Sequence, residues 1–421
     1  MNFLQKLVGR AVRALYPLTN PSLWRELFGI TQSAAGPYVT PASALKNTAV
    51  MCAHRVLAES VGYLPLITYE RIPGGGKKRA TDLPLYSLLH DEPNRYMSSV
   101  TFRETLQGHL CGWGNAYAEI QWGAHGQPIA LWPLLPNFVN PEVREGTLRY
   151  WVTLPDGQFT SMSPDDLIHI PGLGFDGLRG YSPITMAREA LGLAFAGEEL
   201  AGRFYRNGPN VSGVLEHPGT LSEDAAKRLR ESIERRHSGL SNAYRVMILE
   251  DGLKFTQSMP LKDAQFLEGR KFQISEIARM YRIPPHMLAD LDRATWGNIE
   301  HMSLEFVIFS LGPWLRKWEQ ELNRKLFSAQ ARKRYFIEFN VDGFLRGDLK
   351  SRYDAYAVAR LNGWMNANDI LELENRNPIP GGDVYWQPMN VGVLGAPAPV
   401  PEPKAAPAVN NGSSDQPPLK E

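Results

Sequence analysis

The side chains of this 421-residue chain that could hold a metal or move protons are nine histidines, two cysteines and 44 acidic residues, and their spacing builds no known reaction centre. No histidines stand in HExxH or HxxxH spacing, so the zinc-hydrolase ligand pair is missing. Cys52 and Cys111 lie far apart in apolar or small-residue settings, without CxxC spacing, and read as two free thiols in a reducing compartment. Gly74-Gly75-Gly76-Lys77 approximates a phosphate loop, yet Arg71 stands where the first Gly belongs and Lys78 where the hydroxyl belongs. There is no GxSxG turn for a nucleophilic serine. No GxGxxG follows a predicted strand, and the Gly-rich run Pro171 to Gly177 reads as a loop. The adjacent acids Asp165-Asp166 and Glu198-Glu199 do not share a helix face, and Asp165-Asp166 after Ser163-Pro164 reads as a helix start. The expectation is a protein without catalytic residues, bound metal or cofactor.

The remaining chemistry-bearing residues are basic and aromatic. Lys77-Lys78-Arg79, Arg235-Arg236 and Arg332-Lys333-Arg334 read as solvated surface groups, with phosphate contact the alternative. Trp296 and Arg293, on a loop-like stretch, could meet a nucleic-acid backbone or base. Equally, Trp296 could pack on the helix that follows. Lys and Arg total 45, for a formal net charge of +1. A protein gripping nucleic acid over its whole surface needs a clear basic excess, so the balance argues against avid, whole-surface DNA binding and leaves a local basic patch open.

The elements that must position these residues follow from periodicity and punctuation. Met1 to Leu18 is an amphipathic arm, with Phe3, Leu4, Leu7, Val8, Val12 and Leu15 apolar and Lys6, Arg10 and Arg13 between them. Arg10 and Arg13 interrupt any signal-peptide core, and no apolar run reaches the ~18 residues of a membrane span. Asn20 to Pro41 reads as a linker. Pro41 opens a helix that Ser43 can cap, and Leu64 to Arg71 is a strand closing on the Gly74-Gly75-Gly76 tip. Ser99 to Cys111 is a helix, and two hairpins follow at Ala118–Trp132 and Leu148–Ser161. Pro183 to Asn207 and Lys262 to Arg282 are long helices bracketing a small αβ unit, in which Glu250-Asp251-Gly252 turns between two strands. A long helix from Asn298 to Phe327 carries Pro313, which predicts a kink near Phe309 to Gly312. The strand Tyr335 to Val341 and helices Asp348 to Leu361 and Asn366 to Asn375 precede a Pro-rich tail, Gly395 to Glu421, read as disordered. The fold class is α+β.

Taken together, ordered segments resemble the portal proteins of long-tailed, siphovirus-type bacteriophages and prophages. They include Thr48-Ala49-Val50, Asp91-Glu92-Pro93-Asn94, Gly114-Asn115-Ala116-Tyr117 and Ile168-His169-Ile170-Pro171-Gly172. Further along come Asp263-Ala264-Gln265-Phe266-Leu267-Glu268, Ile283-Pro284-Pro285, Ala294-Thr295-Trp296-Gly297-Asn298-Ile299-Glu300 and Arg346-Gly347-Asp348. The resemblance covers about Val39 to Asp383. It implies a non-enzymatic, homo-oligomeric ring, usually of twelve subunits, at one capsid vertex of the virion, through which double-stranded DNA is packaged without sequence specificity and later ejected. The implied partners are the chain itself, the terminase large subunit, the major capsid protein and scaffold, and head-completion or adaptor proteins, assembled in the host bacterial cytoplasm with no membrane involved.

The implied organisation begins with an arm and linker at 1–40, a wing at 41–181, a first stem helix at 182–208 and a clip at 209–261. It continues with a second stem helix at 262–284, a tunnel loop at 285–297, a kinked wing helix and strand at 298–345, a crown at 346–394 and the tail at 395–421. The DNA-channel residues would be Asp292, Arg293, Ala294, Thr295 and Trp296, and the partner-binding clip residues Arg235, Arg236, Glu250 and Asp251. Gly297 departs from the Ser that family members often carry there. The alternatives are a metal-dependent DNA-processing enzyme using Asp165, Asp166 or Glu198, and a protein-only adaptor.

Overall fold

Within the stretch predicted as a linker, residues 31–39 instead form a hairpin, β1 (Thr31–Gln32) paired with β2 (Tyr38–Val39), because the Ser33 N–H closes the turn on the Pro37 carbonyl at 3.0 Å. The structure, a computed structural model, describes residues 31–154, 156–207, 213–237, 249, 252–257, 263–290, 304–341, 349–374 and 376–386. It divides into two units, Met1–Leu345 and Arg346–Glu421. The expected arm at Met1 to Leu18 and the tail at Gly395 to Glu421 lie outside the described residues.

Two helices form where one was expected from Pro41. Thr40 and Ser43 make a reciprocal capping box over α1 (Pro41–Ala44), and the Asn47 side chain caps α2 (Thr48–Tyr63) by accepting from the Ala49 and Val50 N–H groups. Ser43 is therefore the partner of a cap, and Asn47 is the cap that starts the long helix. β3 (Leu66–Arg71), β4 (Lys77–Arg79) and α3 (Pro84–His90) lead to α4 (Ser99–Trp113). α2 and α4 bury Val50, Leu57, Val61, Phe102, Leu106 and Leu110 against one another at the centre of the main core. Gly114 ends α4 in the left-handed region at φ 73°, where a Cβ would collide with the Tyr181 carbonyl.

The hairpins form as their turn residues require. β5 (Asn115–Trp122) pairs with β6 (Pro128–Leu134), β7 (Val139–Arg144) with β8 (Thr147–Thr153), and β8 with β9 (Phe159–Met162). β10 (Leu167–Pro171) returns to pair with β5, giving the order β10-β5-β6. After α5 (Pro183–Met186), Ala187 interrupts the expected continuous rod before α6 (Arg188–Asn207). The small intervening unit contains β11 (Gly213–Glu216), α7 (Glu223–His237) and β12 (Lys254–Gln257), with β11 and β12 antiparallel. Apart from Leu249, the strand expected at Arg245 to Leu249 lies outside the described residues. α8 (Asp263–Tyr281) then returns to pack on α6 and α2.

The proline in the long helix produces a change of winding. Phe306–Leu311 is a π-helix, followed directly by α9 (Gly312–Leu326) with Pro313 at its second position. The missing N–H and the ring of Pro313 exclude an ordinary helical turn over Phe309, and a wider turn accommodates both. The predicted kink is thus a π-helix over Phe306–Leu311.

α9 then closes two sheet edges with its side chains. After α10 (Ala331–Arg334), β13 (Tyr335–Phe339) is the edge of the sheet β13-β3-β4, as β10 is of the other sheet. On one face of α9, Asn323 accepts from the Ile337 N–H at 2.9 Å and donates to the Ile337 carbonyl at 2.9 Å, while Glu319 accepts from the Phe339 N–H at 3.0 Å. On the opposite face, Glu321 accepts from the His169 N–H at 3.2 Å, and Lys317 donates to the Pro171 and Gly172 carbonyls at 2.8 and 2.6 Å. Trp318 between these rows is fully buried and donates to Gln107 on α4 at 3.0 Å. The i, i+4 spacing within each row is what lets one helix serve two strands.

The second unit contains α11 (Leu349–Leu361) and α12 (Ala367–Leu373), the latter started by an Asn366/Asp369 capping box.

Candidate functional site

The candidate loop is described only where it leaves and rejoins the body. Asp292, Arg293, Ala294, Thr295 and Trp296 lie outside the described residues, as do Glu250 and Asp251. Arg235 and Arg236 fall within α7.

The approach to the loop is anchored through α8. The Tyr281 hydroxyl donates to the Cys111 carbonyl at 3.2 Å, so it accepts from Nε2 of His54 at 2.6 Å, which places the imidazole proton on Nε2. This joins α8 to both α2 and α4. Burial holds His54 neutral, lowering its pKa to about 4, and pushes the Tyr281 phenol well above its ordinary value. Beyond Tyr281, Arg282 sits at φ 54° and Ile283 is buried, and Pro284-Pro285 start a short 3₁₀ turn, Pro285–Leu288. Cys52 of α2 donates to the Met287 carbonyl at 3.6 Å. On the return side, Ser310 of the π-helix donates to the Arg282 carbonyl. The described segments on either side of residues 291–303 are therefore tied to each other and to the α2–α4 core.

Around this core lie buried polar groups whose role is positional. His169 stacks on Tyr117 and takes hydrogen bonds with Tyr150 and Asn115, each at 3.1 Å. Burial, with Lys325 and Arg324 nearby, lowers its pKa to about 3. Asn115 also holds Gly180 from both sides, accepting from its N–H at 2.9 Å and donating to its carbonyl at 2.7 Å. Glu119 on the adjacent strand position is pushed up to about 7 by burial and by Asp166.

The sequence-singled acids and bases have partners of their own. Asp165-Asp166 close a 3₁₀ turn capped by Ser163. Glu198 accepts from the Asn47 amide at 3.0 Å, and Glu199 pairs with Arg203. Lys78 and Arg334 both pair with Glu70, and Lys77 pairs with Glu338. Lys77, Lys78 and Arg334, from two basic clusters read as solvated groups, thus meet the two acids across one sheet while their side chains stay about half exposed or more. Among the described residues no group of three His, Cys, Asp or Glu is placed to hold a metal ion. Gly172, Gly174 and Gly177 do follow a strand, β10, contrary to the expectation. However, β10 is antiparallel and the next helix opens only at Pro183, so the nucleotide-binding βα turn is not formed. Arg103 was not singled out by the sequence. It is 3% exposed and donates to the Gly62 and Leu89 carbonyls, at the C-terminal ends of α2 and α3.

The fold defines the class first. It matches the crystal structure of an HK97 family phage portal protein from Corynebacterium diphtheriae at TM-score 0.56 and 19% identity, covering 75% of this chain and 98% of that one. It also matches a chain in the neck of a native gene transfer agent particle computed with C12 symmetry at TM-score 0.54 and 21% identity, covering 89% of this chain and 99% of that one. The family model described as phage portal protein matches residues 48–375, and the chain is 33% identical over 388 residues to the probable portal protein of Streptomyces phage phiC31, covering 86% of this chain and 82% of that protein. The chain belongs to the phage portal protein family.

Proposed function

We propose that copies of this chain form a twelve-membered ring at one vertex of a phage capsid, through which double-stranded DNA is packaged and later ejected. The observation that carries this reading is the family match over residues 48–375, and the C12 symmetry of the gene transfer agent neck supports the subunit number. In this reading the ring performs no chemistry. Packaging energy comes from the terminase large subunit, which docks on the clip formed by 209–261, and head-completion proteins later take its place. Capsid protein and scaffold surround the wing.

Asp292 to Trp296 form the tunnel loop that meets the DNA, with Arg293 touching phosphate and Trp296 the groove surface. The tied ends of this loop support the assignment, since a segment pushed by a moving duplex needs anchored bases. Replacing Arg293 or Trp296 by Ala is expected to leave the ring intact and reduce the DNA retained per particle, read by nuclease-protected DNA after packaging. If instead Trp296→Ala abolishes ring formation, Trp296 is a packing residue and the loop assignment fails.

A further inference from the structure

α6 carries an apolar stripe that nothing among the described residues covers. Leu193 and Leu200, seven residues apart, are 62% and 49% exposed, and Met186, seven earlier across the Ala187 break, is 66% exposed. Aliphatic side chains so exposed along one helix face mark a contact surface. The β1–β2 hairpin rests directly beside it. Glu189 accepts from the Ala34 N–H at 2.8 Å, and a Cβ on Gly192 would collide with the Ser33 side chain. The hairpin that begins at Thr31 is therefore seated on this helix.

What precedes Thr31 is rich in large apolar residues: residues 23–30 read Leu-Trp-Arg-Glu-Leu-Phe-Gly-Ile, with Trp24, Leu27 and Phe28 at i, i+3 and i+4. Chain geometry limits Phe28 to within roughly 18 Å of Ser33, at about 3.6 Å per residue. Leu193 adjoins Gly192, and Leu200 lies about 12 Å from it along α6 at 1.5 Å per residue, with Met186 beyond the Ala187 break. We propose that Leu23–Ile30 folds back on its own chain and covers the Met186–Leu193–Leu200 stripe of α5 and α6. It would then act as an N-terminal clasp on the helix that leads toward α7. The clasp does not depend on the ring.

The test uses the full chain with the photo-crosslinker p-benzoylphenylalanine in place of Phe28. After irradiation, adducts are expected between position 28 and residues 186–200, and mixtures of isotope-labelled and unlabelled chains should give no mixed-mass adducts. Leu193→Asp and Leu200→Asp, both surface changes, should each lower the adduct yield about tenfold, the effect of removing one leucine-sized contact from a docking equilibrium. The circular dichroism spectrum should stay unchanged. Adducts elsewhere, including on Met1 to Leu18, would overturn the clasp. Mixed-mass adducts would assign the stripe to a second copy and equally overturn it, as would undiminished yield in both variants.

Discussion

A single hydroxyl, that of Tyr281, ties three helices together, and its loss should be measurable. Tyr281→Phe removes one donor and one acceptor while keeping the ring, and is expected to lower stability by about 1–2 kcal/mol, read by urea denaturation. Trp318, fully buried between α4 and β13, is the larger case. Trp318→Ala should cost about 3–5 kcal/mol. The buried histidines set the acid limit. His54 and His109 have folded-state values lowered to about 4 from an ordinary 6.5, so the unfolded chain binds more protons between those values. Their contribution is complete above pH 6.5 and is lost as pH falls toward 4. Glu119 works in the opposite direction, because its value is raised to about 7 from 4.5 and its favourable contribution is lost as pH rises through that window. Glu119→Gln should therefore raise the unfolding midpoint at pH 8 relative to wild type, with a smaller gain at pH 5. No difference in gain between the two pH values would contradict this assignment.

At the scale of elements, α9 is the strut on which two sheets depend. Asn323→Leu keeps the side-chain size and improves helix propensity, yet it leaves the Ile337 N–H and carbonyl without partners, and should cost about 2–3 kcal/mol by urea denaturation. A loss below about 0.5 kcal/mol would mean that solvent satisfies that edge. Much of the element order was legible, since hairpins at Gly and Asp-Gly turns and helices with strong apolar spacing depend on local chemistry. What escaped was set by tertiary partners. The cap fell on Asn47 because the first turn closes at Ala44, and Ala187 broke the first long helix. The supposed linker around Ser33 became a hairpin by resting on α6. Pro313 announced a disturbance, but its resolution as a π-helix depends on burying Phe306, Val307, Ser310 and Leu311 together. Nothing in the sequence of α9 distinguishes Glu319 and Glu321, which bond strand edges, from solvated acids on an amphipathic helix. The bases at 77–78 and 334 meet only because β13 and β4 flank β3.

At the scale of the molecule, the near-balance of charge, +1 overall, suits a proposed conduit better than a DNA clamp. A wall dense in phosphate contacts would hold a polyanion in place, whereas a sliding duplex needs a weak and local grip. The resemblance visible in the sequence from Val39 to Asp383 and the family match over 48–375 cover nearly the same span. The residues proposed to touch DNA were reached through that resemblance, since Arg293 and Trp296 have no spacing that defines a site by itself. The measurement that most directly tests the central claim is the mass and axial view of the purified full-length particle, by native mass spectrometry and electron microscopy. The account predicts a closed ring of about twelve 47.2 kDa subunits with an open axial channel. A strictly monomeric species under capsid-like conditions, or an assembly without an axial opening, would contradict it.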